Sequence, residues 1–280
     1  MDFIYDYQKL CADITKLSCN YPFIKLSCIG KSNKHRKLHM LQLGNGKTKV
    51  LYNGTHHGLE WITSAILMKF VFDYAKSYIT GTRLYGFDIR KLYENASIYI
   101  VPMVNPDGVE ISKTKKKWQA NSKGVDLNHN YNAGWQQYKA LAAQQGITKK
   151  CATRYPGKGW ESEPESSAIV NFTRIMSFDY VVALHSQGKE IYWQYGNIDP
   201  PKAEKIGKLM SEASGYALIR ADGLSSYSGY KDWFIKEFNR PGFTIEVGEG
   251  KNPLPYSCFD KVYNEVVGIL LLPGEIYFDF

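Results

Sequence analysis

The segment Ser97–Val104, SIYIVPMV, is almost continuously apolar and rich in β-branched residues. That is the pattern of a strand buried on both faces, not of one with a wet side. Such a strand needs a covering layer on each side of its sheet. The rest of the chain supplies them. Residues 5–18 read as an amphipathic helix, and residues 60–78 carry apolar positions at helical spacing. Between them lie three short strand-like runs, Ile24–Ile29, Leu38–Leu43 and Lys49–Tyr52, separated by polar turns. Residues 108–160 read as a looser polar region. Helix and strand then alternate. Ser162–Met176 is a helix, with Ser162 as its cap and Pro164 in its first turn. Tyr180–Leu184 and Ile191–Tyr195 are strands, Pro201–Ser214 a helix, Phe243–Val247 a strand and Phe259–Leu272 a final helix. An α/β fold follows: a mixed, largely parallel, twisted sheet flanked by helices on both faces. Ligands in such folds collect where strands end and loops begin.

With 280 residues and no internal repeat or Pro/Gly/Ser linker, the whole of 1–280 reads as a single domain. The formal charge is +8, but its densest run, Lys113 and Lys115–Lys117, reads as a solvated loop, and no nucleic-acid-binding motif accompanies it. The five cysteines lack the close spacing of a zinc knuckle or a redox dithiol. The N-terminus lacks the basic-then-apolar pattern of a secretion signal, and the apolar stretches are too short to cross a bilayer. The expectation is a cytoplasmic protein with neither a nucleic-acid nor a membrane partner. Composition and length leave the oligomeric state open.

The chemistry concentrates in Leu51-Tyr52-Asn53-Gly54-Thr55-His56-His57-Gly58-Leu59-Glu60-Trp61. This segment leaves a strand, turns at a glycine, presents two histidines and a carboxylate, and enters a helix. A His and a Glu three apart on one helical turn point the same way, so both can reach one ion. His56 and Glu60, four apart, would also share a face, and spacing alone does not choose between His56 and His57. His185 is the leading third ligand, because it ends the apolar run Val181–Leu184 just before the polar Ser186-Gln187-Gly188.

At this point the chain resembles the zinc carboxypeptidase family, the carboxypeptidase A-like metallopeptidases. His57-Gly58-Leu59-Glu60-Trp61 looks like the family's first metal motif, which implies His57 and Glu60 as ligands. Asn105-Pro106-Asp107-Gly108 resembles its Asn-Pro-Asp-Gly turn, and Asp126-Leu127-Asn128-His129-Asn130 its Asp-x-Asn-Arg-Asn segment. Leu184-His185-Ser186 resembles the strand of the third ligand. Phe243-Thr244-Ile245-Glu246 resembles the strand of the catalytic glutamate, with Asp232-Trp233 upstream as in the family. The matches keep family order over roughly residues 25 to 270. They imply a carboxypeptidase-like fold, one Zn2+ per chain on His57, Glu60 and His185, and Glu246 as general base and then general acid beside a metal-activated water.

Two departures bear on the substrate. His129 stands where the family's arginine holds a terminal carboxylate, and Gln119, after Trp118, stands where another arginine steadies the oxyanion. Neither replacement offers a guanidinium's permanent charge and bidentate fork, although Gln119 can still donate a hydrogen bond. The Asp-Leu-Asn-His-Asn form, with Glu246-Val247-Gly248 and Asn252-Pro253-Leu254-Pro255, looks like the bacterial branch of γ-D-glutamyl-meso-diaminopimelate peptidases. That resemblance implies peptidoglycan stem peptides or muropeptides as substrates. It implies Asn128, His129, Gln119, Lys231, Tyr227 and Tyr230 as their contacts, Lys231 lying at the base of the pocket beyond the cut. Two other readings use the same residues: a zinc carboxypeptidase acting on ordinary or glutamylated peptides, and a pseudoenzyme that binds wall fragments without cutting them.

Overall fold

A computed structural model of the chain describes residues 3–220 and 227–274. Helix α1 (Tyr7–Asn20) opens where Asp6 accepts the backbone N–H of Lys9, and its buried face carries Leu10, Ile14 and Leu17. Strands β1 (Lys25–Lys31), β2 (Lys37–Leu43) and β3 (Thr48–Gly54) follow. Next come α2 (Ile62–Thr80), α3 (Ile89–Asn95) with Asp88 as cap, and β4 (Ala96–Val101). The polar stretch holds α4 (Pro106–Ser112), a single 3-10 turn (Leu127–His129) and α5 (Trp135–Gln144). The last part runs α6 (Pro164–Met176), β5 (Tyr180–His185), β6 (Glu190–Tyr192), α7 (Ala203–Ser214), β7 (Ala217–Ile219), α8 (Tyr230–Phe238), β8 (Gly242–Glu246) and α9 (Phe259–Leu271).

The strands form one sheet in the order β1-β2-β4-β3-β5-β8-β6-β7. Its centre, β4-β3-β5-β8, is parallel; β2 joins β4, β1 joins β2 and β6 joins β8 antiparallel. All six residues of β4 and all six of β5 are buried, as their largely apolar character leads one to expect, with Ser97 and His185 the buried polar members. Side chains alternate between two cores. Val50, Tyr52, Val182 and Leu184 face α2, α7 and α9, whereas Leu51, Val181 and Ala183 face α6 and α8.

Three local expectations are corrected. Residue 60 precedes α2, so His57 and Glu60 share a tight turn, closed by Glu60 N–H to His57 O at 3.0 Å, and not a helical turn. Ser162 does not cap α6, because its hydroxyl is engaged with Asn130 and Glu163, and Glu163 takes the cap position. The 108–160 region is locally ordered, although its helices are short and polar.

Candidate metal centre

β3 delivers the chain at Gly54 to a loop that must turn sharply before α2. Gly58 makes this possible: a Cβ there would lie 2.2 Å from the backbone of Gly108. Asn105 pins the two loops together, donating to His56 O at 2.9 Å and Gln119 O at 3.1 Å while accepting Gly108 N–H at 2.8 Å. Asp107 anchors the same turn from behind, accepting from Ser32, Arg36 and the backbone N–H of Lys34. The Asn-Pro-Asp-Gly segment is therefore a clamp on the metal loop. β5 brings His185 from the neighbouring strand, and β8 brings Glu246, which stands in register opposite His185.

One ligand atom from each of His57, Glu60 and His185 lies within 4.8 Å of the others. Glu60 reaches both rings, with Oε1 2.8 Å from His57 Nδ1 and Oε2 3.0 Å from His185 Nδ1. Opposite, His57 Nε2 lies 3.2 Å from Asp126 Oδ1. A carboxylate only accepts, so Asp126 takes the Nε2 proton and leaves the Nδ1 lone pair of a neutral His57 facing Glu60. Two lone pairs at 2.8 Å repel unless a proton or a metal cation lies between them. Two imidazoles and a carboxylate aimed at one point are the donor set of a catalytic zinc site. The surroundings favour a positive charge at that point. Burial disfavours charge on His57, yet Glu60 and Asp126 push its pKa well above the usual histidine range. Burial alone would raise the Glu60 carboxyl, but His57 and His185 hold it down to about 2. Burial, and Glu60 nearby, push the half-buried Glu246 well above the ordinary carboxylate range.

His56 turns away. Its Nε2 meets the Tyr131 hydroxyl at 2.8 Å, and its ring lies fully buried against that of His185.

A cavity of about 220 Å³ opens beside the ligands and is lined by His57, Glu246, Asn128, His129, Tyr227 and Lys231, among others. Asn128 Oδ1 accepts the Tyr230 N–H, which leaves its amide group for a ligand. Lys231 is buried in the cavity wall, its ammonium donating to Gln194 O and paired with Asp232. His129 stacks on Tyr138 with ring centroids 3.9 Å apart, and its Nδ1 faces Tyr227 O at 3.3 Å. Burial lowers its pKa, so the ring is neutral.

Two expected contacts lie elsewhere. Tyr230 is fully buried, its hydroxyl 2.8 Å from that of Thr173, so its side chain belongs to the core and only its backbone supports Asn128. Gln119 lies behind the metal loop, its carbonyl accepting Gly58 N–H and its amide oxygen accepting from Thr153. Two residues of the site carried no assigned role in the sequence. Asp126 opens the Asp-Leu-Asn-His-Asn segment, and a carboxylate heading a motif in a chain with a metal ligand pair was a usable signal. Arg154, which lines the cavity from the polar region, gave none.

The fold and this donor set define a metallopeptidase. Residues 10–267 match the zinc carboxypeptidase family, and the chain belongs to it. A relative from Lysinibacillus sphaericus, gamma-D-glutamyl-L-diamino acid endopeptidase 1, is 37% identical over 288 residues, covering 95% of this chain and 71% of the relative. Among solved structures, thrombin activatable fibrinolysis inhibitor superposes with a TM-score of 0.83 at 22% identity, over 97% of this chain and 74% of that one. The murein-tripeptide amidase of Escherichia coli O157 gives a TM-score of 0.63 at 19% identity, over 91% of this chain and 93% of that one. These structural likenesses speak for the fold. Among the described residues no helix is long and apolar enough to cross a membrane.

Proposed function

We propose that the protein holds one zinc ion on His57, Glu60 and His185 and hydrolyses the γ-D-glutamyl–meso-diaminopimelate bond of peptidoglycan stem peptides. The name of the L. sphaericus relative supports that substrate class. The observation that carries it in this chain is Lys231: an ammonium offers three donors, and its partners Gln194 O and Asp232 leave one for a carboxylate entering the cavity. Diaminopimelate carries such a carboxylate at the far end of its side chain.

Bound zinc would supply a Lewis acid and lower the pKa of a water toward neutrality. The chain's own residues do the rest. Asp126 fixes the tautomer and orientation of His57. With a bound cation to offset Glu60 and favour its charged form, Glu246 would take the proton of the attacking water and return it to the departing amine, a role its register opposite His185 suits. Asn128 and Tyr227 position the peptide from the loop side.

The test is mass spectrometry of products from defined stem peptides ending at successive positions, with metal content measured on the same samples. Cleavage between the γ-D-glutamyl and diaminopimelyl residues is expected. Trimming of plain peptides from a free C-terminus, with stem peptides untouched, would establish the carboxypeptidase alternative; stoichiometric binding without turnover in zinc-replete protein would establish a binding protein.

A further inference from the structure

The family's carboxylate-binding arginine is missing at position 129, and His129 cannot replace it. Its ring is held by the Tyr138 stack and by Tyr227 O, and it carries no charge to offer. The same wall of the cavity carries a guanidinium from another part of the chain. Arg154 is set by the site itself: its N–H donates to Asp126 Oδ2 at 2.8 Å, and its carbonyl accepts the Tyr138 hydroxyl at 3.1 Å. The carboxylate that orients His57 and the ring that stacks on His129 thus both grip this one residue. Its φ is +65°, the left-handed region that residues with a Cβ avoid, and such strain persists where its surroundings impose it.

The side chain, by contrast, is exposed and nearly uncommitted. Its one hydrogen-bond partner among the described residues is the neutral amide of Gln145, 3.3 Å from Nη1, and no carboxylate there pairs with it. Lys231, the other cation of the cavity, is the group assigned above to the side-chain carboxylate, which leaves the terminal one without a partner.

We infer that Arg154 binds the terminal carboxylate of the substrate residue on the leaving-amine side of the cut, in place of the arginine that position 129 lacks. This rests on the peptidase reading above. A guanidinium fork accepts a carboxylate bidentately and forms stronger hydrogen bonds than a neutral donor. It lines the same cavity as His129, the residue that stands where the family's arginine would be.

The experiment compares three stem tripeptides: one with both diaminopimelate carboxylates free, one with the terminal carboxylate amidated, and one with the side-chain carboxylate amidated. Wild type, Arg154→Met and Arg154→Lys are assayed on each, zinc-loaded. Arg154→Met should lower kcat/KM on the free tripeptide by roughly 10- to 100-fold, the range of a charge-assisted pair. It should leave the terminal amide's value unchanged, and Arg154→Lys should recover part of the loss. Equal losses on all three peptides, no loss on any, or a loss that vanishes only with the side-chain amide would each overturn the assignment. If wild type cuts none of them, the proposed bond fails, and the assignment is read by calorimetry with free diaminopimelate and its mono-amides. Tighter binding of the terminal acid that disappears in Arg154→Met sustains it; equal binding refutes it.

Discussion

Asp126 is where the metal centre should be most sensitive to a change that looks conservative. It is buried, and its two oxygens face three donors: His57 Nε2 and Asn128 N–H on Oδ1, and Arg154 N–H on Oδ2. Asn keeps the shape but only one accepting oxygen. Its amide nitrogen must then oppose either the His57 proton or the Arg154 N–H, donor against donor. If His57 loses its acceptor, its tautomer is no longer fixed and Nδ1 is no longer reserved for the ion. Loss of such an outer partner weakens metal binding by about 10- to 100-fold, which is roughly 1.4–2.7 kcal/mol. If Arg154 loses it, a buried N–H goes unpaired at about 1–3 kcal/mol of folding stability. Asp126→Asn and Asp126→Ala should therefore behave alike. Competition against a chromogenic chelator gives the zinc Kd, and urea unfolding of the metal-free protein gives the stability. A folded Asp126→Asn with wild-type zinc affinity would refute the reasoning.

Four further outcomes are expected. His57→Ala should lose stoichiometric zinc, whereas His56→Ala should keep it and lose stability, because His56 only fills the space between Tyr131 and His185; metal analysis and thermal unfolding separate the two. Glu246→Gln should bind zinc and substrate normally yet lose turnover by several orders of magnitude, since an amide cannot take the proton, and near-normal turnover in a zinc-loaded variant would contradict this. Lys231→Met should lose the preference for diaminopimelate over lysine at the position beyond the cut, and should also unfold at lower denaturant because Asp232 is left buried without its partner. Burial raises the Glu165 carboxyl to about 7 against an unfolded value near 4.5. A raised carboxyl favours folding when protonated, so its contribution is complete below about 4.5 and lost as pH climbs through about 7. The stability of wild type relative to Glu165→Gln should fall by ~3 kcal/mol over that window in pH-dependent urea unfolding, and a flat difference would show that Glu165 ionises normally.

The buried strands were legible because their apolar runs are continuous: Ser97 to Val101 and Tyr180 to Leu184 lie within β4 and β5. The short helices α4 and α5 were not, since α5 buries only Trp135, Tyr138 and Ala142 in ten residues and carries no strong period. β7, three residues long, was missed, whereas the equally short β6 overlaps the apolar run read at Ile191–Tyr195. Within the site, the metal triad followed from motif and strand end. Spacing left His56 and His57 open and the family resemblance chose His57; the structure turns His56 to Tyr131 and brings His57 to Glu60. Tyr230 misled because it neighbours Lys231 in sequence. At the start of α8 successive side chains diverge, so Lys231 turns to the cavity while Tyr230 enters the core. Arg154 was invisible because its relevance depends on chain pairing across 28 residues, Asp126 to Arg154, within a region of no clear periodicity.

The pairing of His185 with Glu246 across β5 and β8 separates what this enzyme does from what it does it to. Neighbouring strands lie about 4.8 Å apart, so the spacing between the proposed ligand and the proposed proton acceptor is set by sheet hydrogen bonds; a one-residue slip of β8 would turn Glu246 to the opposite face. His129, Arg154 and Tyr227 instead ride on turns and loops, outside any strand. Loops accept substitution and changes in length far more readily than a buried parallel strand does. A new substrate preference is therefore reachable through the 128–160 segment and the start of α8, provided the Asn128 and Arg154 N–H bonds to Asp126 are kept. Chimeras that exchange only those segments should change which peptide is cut while leaving zinc binding and the identity of the base intact.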